Sequence, residues 1–140
     1  MVDAGTPEGR DRLRSVPLFS QLGQAALDRV LATASEHEVG AGYVLVQPDQ
    51  PGAGLFIIEE GTVVVERPGR PIELGKGEFF GELALLSPEA VHSVRVRAAG
   101  PVRFLALARN DFAELIESEP GLALSMLRWL AHRLWETARS

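Results

Sequence analysis

The stretch GEFFGELALLSPEAVHSVRVRA, residues 77–98, joins a glycine turn, a short apolar run and an alternating strand. Within it, Gly81-Glu82-Leu83 leads into apolar residues, a pattern that predicts a short helix beginning at the glycine. The first amide groups of a helix have no hydrogen-bond acceptor within the helix and carry partial positive charge, so they attract anions. This stretch therefore predicts an anion site, with a phosphate as the natural ligand.

The composition bounds the classes of protein that fit. The chain has 140 residues, of which 46% are apolar, so we expect one domain with a real core. Fourteen basic and nineteen acidic side chains give a net charge of -5, which argues against a nucleic-acid partner. There are no cysteines, and no apolar run approaches the roughly 20 residues that span a bilayer. We expect a soluble cytoplasmic protein with no membrane partner.

Short β-prone runs separated by glycine and proline occupy residues 36–108. Their even spacing is typical of an antiparallel sandwich or barrel. Gly61 lies between two of the runs and is predicted to form the bend of a hairpin. The predicted strands are Tyr43–Val46, Leu55–Ile58, Thr62–Glu66, Ile72–Leu74, Val94–Ala98 and Val102–Leu107.

Helical patterns flank the predicted sheet. Residues 1–15 are polar and without a period, so we expect a disordered or loosely ordered tail. Ser20 is a candidate cap for an amphipathic helix over residues 21–34. After the sheet, Asn110 or Asp111 is expected to cap a helix that stops at Pro120, and a last helix runs over residues 121–139.

The last helix carries two apolar rows. Residues of the first row step by four, three and four, which is the spacing of a coiled-coil seam and predicts a homodimer. The alternative is one wide apolar stripe that packs on a single barrel. The first row is Ala123, Leu127, Leu130 and Leu134, and the second is Leu122, Met126 and Trp129.

The FGEL turn, the strand that follows Ser93 and the long terminal helix together resemble the cyclic-nucleotide-binding domain family over about residues 16–139. The resemblance implies a mainly β fold with flanking helices, an antiparallel β-roll or jelly roll (double-stranded β-helix) with an N-terminal helix and a long C-terminal helix. The domain would cover residues 16–140, with the roll over about 36–108 and the C-terminal helices over about 110–139. It is similar to a catabolite-activator regulatory domain without its DNA-binding domain.

The resemblance also assigns a ligand, cyclic AMP or cyclic GMP, and residues that bind it. Gly81 would let the backbone approach the sugar-phosphate, although a plain turn glycine is the alternative. Glu82 would accept from the ribose hydroxyl, because a carboxylate accepts without donating. Its alternative role is a negative charge at a helix N-terminus. Leu83 and Ala84 would complete the turn, with the Leu83 amide as a further donor. Ser93 would bond a phosphate oxygen.

One position departs from the family pattern. Where the family has the arginine that pairs with the cyclic phosphate, this chain has His92. Imidazole lacks the planar two-pronged donor set of arginine, so we expect lower affinity. A bound phosphate would raise the pKa of His92, so binding is expected to strengthen below about pH 6.5. Arg95 or Arg97 could replace the missing charge, or both could be solvated.

The last helix offers one more candidate. Thr137, in the segment LAHRLWETA at residues 130–138, matches the family threonine that meets the purine edge, although a solvated threonine is the alternative. His37 and His132 are isolated in sequence, so neither metal nor cofactor is expected besides the nucleotide. An enzyme is the least favoured class. The leading function is a regulatory module that binds a cyclic nucleotide, with cyclic AMP preferred, and signals through its last helix. The alternative is a degenerate module that serves protein assembly.

Overall fold

The computed structural model describes residues 7–48, 54–81 and 94–139. These residues form eight strands in two four-stranded antiparallel sheets, with four α-helices and one 3-10 turn. The helices are α1 (Pro7–Arg14), α2 (Gln24–Thr33), α3 (Arg109–Ser118) and α4 (Pro120–Arg139), and the 3-10 turn is Pro17–Phe19. The strands are β1 (Ser35–Val39), β2 (Val44–Val46), β3 (Gly54–Glu60), β4 (Val63–Glu66), β5 (Ile72–Leu74), β6 (Phe79–Phe80), β7 (Arg95–Ala98) and β8 (Val102–Ala108).

The strand order shows how the roll is wound. One sheet has the order β1-β8-β3-β6, and the other has the order β2-β7-β4-β5. The successive pairs β1–β2, β3–β4, β5–β6 and β7–β8 each pass from one sheet to the other and keep the same neighbours in both. Each pair therefore acts as one long strand bent across two layers, which is the winding of a jelly roll. The predicted fold class, a mainly β roll with flanking helices, is confirmed.

Gly61 lies at the corner between β3 and β4 and has a φ of +93°. A Cβ atom on Gly61 would lie 2.3 Å from the carbonyl oxygen of Pro101, which is in the corner between β7 and β8. The amide of Ala99 donates to the carbonyl of Thr62 over 2.9 Å, which joins the same two corners. The prediction of a hairpin bend at Gly61 was wrong, because β3 and β4 lie in different sheets. The glycine is needed so that two corners can cross closely.

The apolar residues form two layers. Successive side chains of a strand point to opposite faces, and β8 shows the result. Val102 and Phe104 face the inside of the roll, while Leu105 and Leu107 face the helices. The β1-β8-β3-β6 sheet therefore has an apolar cluster on each side, one shared with the second sheet and one shared with the helices.

The N-terminal segment is more ordered than the sequence predicts. Residues 7–14 fell in the predicted loosely ordered tail, and for them the prediction was wrong, because they form α1. Leu13 is fully buried in the cluster beneath the helices. The guanidinium of Arg10 donates two hydrogen bonds to Asp28 of α2, each 3.0 Å long. One leucine and a few ion pairs anchor a helix whose sequence is otherwise polar.

Helix boundaries also differ in detail from the predictions. Helix α2 begins after Gly23, and the Ser20 hydroxyl instead donates to the Pro17 carbonyl over 2.9 Å. Ser20 therefore closes the 3-10 turn and does not cap α2. Helix α3 begins at Arg109, so Asp111 lies in its first turn, where a negative charge is favourable. It ends at Ser118, shortly before Pro120, as predicted.

Candidate functional site

Strand β6 brings the chain to the predicted site. It has only two residues, Phe79 and Phe80, and Gly81 follows directly. Because neighbouring strand residues point to opposite faces, Phe80 enters the inside of the roll while Phe79 enters the cluster beneath the helices. The position of Gly81 is thus fixed by two buried aromatic rings, one on each side of the sheet.

Gly81 lies in very close contact with neighbouring backbone. It has a φ of +102°, and a Cβ atom there would lie 2.2 Å from the carbonyl oxygen of Gly54. Gly54 has a φ of +155°, and its own added Cβ would lie 2.0 Å from the carbonyl oxygen of Leu107. The ends of β6, β3 and β8 therefore stack at distances that only glycine permits. This packing is a sufficient reason for the glycine, independent of any ligand.

Aromatic rings form the floor of the roll next to Gly81. Phe80 stacks on Phe56 with the ring centroids 5.0 Å apart. Phe56 meets Phe104 edge to face at 5.6 Å, and Phe104 stacks on His37 at 5.3 Å. Such pairs are each worth about 0.5–1.5 kcal/mol beyond the area they bury. These ring contacts hold Phe80, the residue before Gly81, against the inside of the roll.

Arg95 and Arg97 occupy the outer face of β7. Each has a guanidinium nitrogen 3.7 Å from Glu66 Oε1, and their side chains are 50% and 39% exposed. Val96, between them, is 2% exposed and faces the inside. The two arginines are therefore engaged outside the roll with Glu66, which disfavours the idea that either replaces the charge missing at His92.

Helix α4 is joined to β6 through a tryptophan. The rings of Phe79 and Trp129 have their centroids 4.2 Å apart, and the guanidinium carbon of Arg133 lies 4.6 Å from the centroid of the Trp129 ring. Leu122 and Met126 are fully buried on the same helix face. The second apolar row of this helix therefore packs against the core. The sequence did not single out Phe79, although two adjacent phenylalanines before a glycine indicate rings on both faces of a strand.

The other face of α4 is open. Leu127 and Leu134, members of the predicted seam, are 64% and 71% exposed, while Leu130 is half-buried against the core. Trp135 adds a further exposed ring. Two of the four seam residues thus present large apolar side chains to the surface of the single chain.

Most of the predicted ligand-binding residues lie outside the described residues. Gly81 is among the described residues and directly follows β6. Thr137 belongs to α4, but its side chain is not among those described. The remaining predicted residues, Glu82, Leu83, Ala84, His92 and Ser93, fall outside the described ranges, and so does the short helix predicted to begin at Gly81.

Within residues 7–48, 54–81 and 94–139, no group of three or more His, Cys, Asp or Glu side chains is placed to hold a metal ion. In the same part of the chain, no helix has both the length and the apolar character that crossing a bilayer requires.

Comparison with known proteins agrees with this architecture. A family model described as "Cyclic nucleotide-binding domain" matches residues 36–119. A cyclic nucleotide-gated potassium channel of Rhizobium etli is 42% identical over 109 residues, which is 78% of this chain and 30% of the channel. The chain thus spans less than a third of that relative.

Two solved structures show the same fold. The catabolite activator protein of Thermus thermophilus superposes with a TM-score of 0.74 and 30% identity, over 87% of this chain and 60% of that protein. The regulatory domain of Toxoplasma gondii PKA, solved with cAMP, superposes with a TM-score of 0.71 and 24% identity, over 92% of this chain and 49% of that chain. The resemblance seen in the FGEL turn is confirmed, and the chain belongs to the cyclic nucleotide-binding domain family.

Proposed function

We propose that this chain is a regulatory module that binds a cyclic nucleotide in its roll, cyclic AMP in preference to cyclic GMP, and signals through α4. The observation that supports it best is the contact between Phe79 and Trp129 at 4.2 Å. Phe79 lies two residues before Gly81, where the predicted phosphate site begins, and Trp129 belongs to the terminal helix. A ligand at the site and the output helix would thus act on the same short strand.

The mechanism is a shift between helix positions that exist without ligand. A phosphate held by the amides after Gly81 would restrict β6, and through Phe79 it would favour the α4 position that keeps Trp129 packed. The preference for cyclic AMP is supported by the Toxoplasma gondii domain, which has the same fold and was solved with that nucleotide. In a longer protein, α4 would pass the change to an output domain.

Each predicted ligand residue after Gly81 has one role in this proposal. Glu82 accepts from the ribose hydroxyl, and Ser93 donates to a phosphate oxygen. The amide of Leu83 would donate to the phosphate, and Ala84 would complete the turn. His92 supplies the phosphate partner, and Thr137 of α4 meets the purine edge.

Calorimetric titration with cyclic AMP and cyclic GMP tests this binding. We expect Glu82→Ala to weaken binding by about 10- to 100-fold, because hydrogen bonds to charged groups contribute about 1.5–3 kcal/mol. We expect His92→Arg to strengthen it by a similar factor, because guanidinium meets phosphate with two parallel donors. The control is Glu73→Ala, which removes an exposed carboxylate on β5 and should leave the affinity unchanged. The proposal would be contradicted if neither wild type nor His92→Arg bound a cyclic nucleotide.

The same titration at pH 6 and pH 8 isolates His92. A bound phosphate raises the pKa of the imidazole. The affinity that the charged imidazole adds is therefore fully present below its pKa in the unliganded chain, for which the reference value is about 6.5. It is lost as the pH rises through the higher pKa of the complex. We expect tighter binding at pH 6 than at pH 8, and no such difference in His92→Arg. Equal affinity of wild type at both values would remove His92 from the phosphate site.

The second candidate function is protein assembly, favoured by the exposed leucines of α4. We propose a homodimer through Leu127, Leu130 and Leu134. Such a dimer could form whether the module binds a cyclic nucleotide or is degenerate. Sedimentation at tens of micromolar should give a dimer for wild type and a monomer for the Leu127→Glu, Leu134→Glu variant, because buried charge opposes helix pairing. Tyr43→Gln, which alters a 56% exposed ring elsewhere, is the matched control. A monomeric wild type would exclude the seam.

A further inference from the structure

Helix α1 is held on the roll by an ion-pair cluster around a buried carboxylate. The Nε and Nη2 atoms of Arg12 donate to the two carboxylate oxygens of Glu59 in β3, and Nη2 also donates to Glu36 of β1. Glu59 is 7% exposed, and these ion pairs offset the cost of burying its carboxylate. The hydrogen bond that Arg12 donates to Glu59 is the largest cause that raises the pKa of Arg12, which remains charged at every working pH.

The segment after Arg12 leads from this cluster to a turn of the roll. Leu13 is fully buried, and the 3-10 turn that follows begins at Pro17. Pro17 Cδ would lie 3.2 Å from a Cβ atom placed on Gly77. Gly77 belongs to the turn over residues 75–78, between β5 and β6. The N-terminal segment thus packs against that turn as well as against β3.

Hydrogen bonds join this turn to the residue next to Glu59. The amide of Gly77 donates to the carbonyl of Ile58 over 2.8 Å, and the amide of Ile58 donates to the carbonyl of Glu78 over 2.9 Å. Within the turn, the amide of Gly75 donates to Glu78 Oε1 over 3.0 Å. Strand β6 begins directly after Glu78, and Gly81 follows its two residues.

We propose that Arg12 and Glu59 form a latch that positions β6, so that docking of α1 and ligand affinity at Gly81 are coupled. The coupling rests on the proposed binding of a cyclic nucleotide. Arg12 and Glu59 are positioning residues in this scheme, because they act through the 75–78 turn and touch no ligand. Since coupling between two equilibria is reciprocal, a ligand that fixes β6 also holds α1 in place.

The chain supplies a matched control within the same helix. Arg10 also holds α1, but its partner is Asp28 of α2, which does not belong to the sheet. Arg12→Gln removes the connection to β3, while Arg10→Gln removes a connection of similar chemistry to α2. Arg103 of β8 has its Nε atom 3.9 Å from Glu59 Oε1, so a cation stays beside the buried carboxylate in Arg12→Gln.

Hydrogen exchange and titration with cyclic AMP would be measured for both variants. In Arg12→Gln we expect amides of α1 and of residues 77–80 to exchange at least about tenfold faster, and affinity to fall by about three- to tenfold. Arg10→Gln should loosen α1 and leave residues 77–80 and the affinity within twofold of wild type. Arg12→Lys, which keeps the charge without the paired donors, should lie between Arg12→Gln and wild type.

Hydrogen exchange in Arg12→Gln and Arg10→Gln tests the latch separately from the proposed binding of a cyclic nucleotide. If wild type binds no cyclic nucleotide, the proposed function fails, and exchange at residues 77–80 in Arg12→Gln still decides the latch. Equal exchange of β6 in the Arg12→Gln and Arg10→Gln variants would overturn it. If Arg12→Gln does not fold, Arg12→Lys is measured against Arg10→Gln by the same criterion.

Discussion

Gly54→Ala is expected to lower the free energy of unfolding by about 3–5 kcal/mol, or to prevent folding altogether. The added methyl carbon would lie 2.0 Å from the carbonyl oxygen of Leu107, and the backbone of β8 cannot move away without breaking its pairing with β1 and β3. The φ of +155° adds backbone strain, because residues with a Cβ rarely adopt it. Chemical denaturation followed by circular dichroism measures the loss.

Gly40→Ala is the control for this substitution. Gly40 has no atom within 4 Å of its added Cβ and does not have a positive φ. Alanine there should be neutral, or should stabilise the chain by about 0.4–1 kcal/mol through the unfolded state. A Gly54→Ala variant as stable as Gly40→Ala would show that the ends of β3, β6 and β8 pack more loosely than described.

Phe79→Ala is expected to lower the free energy of unfolding by about 3–5 kcal/mol, because it leaves a cavity in a fully buried site. The cavity lies between β6 and α4, so the loss should be accompanied by a change in fluorescence of Trp129, whose ring centroid lies 4.2 Å away. Thermal or denaturant unfolding, monitored by fluorescence, gives both quantities. The Trp135→Phe background removes the second tryptophan signal.

A double-mutant cycle then isolates the ring contact. Phe79→Leu and Trp129→Leu keep apolar side chains in both positions, and the interaction free energy between them should be about 0.5–1.5 kcal/mol. Leu105→Val, in β8 and equally buried, serves as a core control that should not couple to Trp129→Leu beyond about 0.5 kcal/mol. A coupling of zero between Phe79 and Trp129 would remove the route from β6 to the helix on which the proposed function rests.

The elements predicted well are those in which apolar runs end at turn residues. The run over residues 55–58 predicts most of β3, and that over 102–107 predicts nearly all of β8. Strand β1 was not predicted, because SEHEV is a polar edge strand whose burial is low throughout. Strand β6 was missed because two residues show no period. Helix α1 was missed because Leu13 is its only large apolar residue.

The anion site around Gly81 stays a prediction, and the contacts that hold Gly81 in place could not be predicted from the sequence. The residue types around Gly81 predict an anion site from sequence alone, because helix-start chemistry is local. The contacts that hold Gly81 are not local. Gly54 approaches it from another strand, Phe79 reaches a helix fifty residues later in the chain, and Arg12 acts from the opposite terminus. No periodicity in the sequence marks such pairings.

The pairing of β1 with β8 has a consequence for synthesis of the chain. Ser35 and Ala106 are partners although they are 71 residues apart in sequence. At a ribosomal rate of about 5–20 residues per second, β1 waits about 4–14 seconds for its partner strand to be made. During that interval its serine, histidine and glutamates keep the unpaired edge soluble, whereas an apolar strand would invite aggregation. The polar sequence that prevented the prediction of β1 thus also lowers its tendency to aggregate before β8 is synthesised.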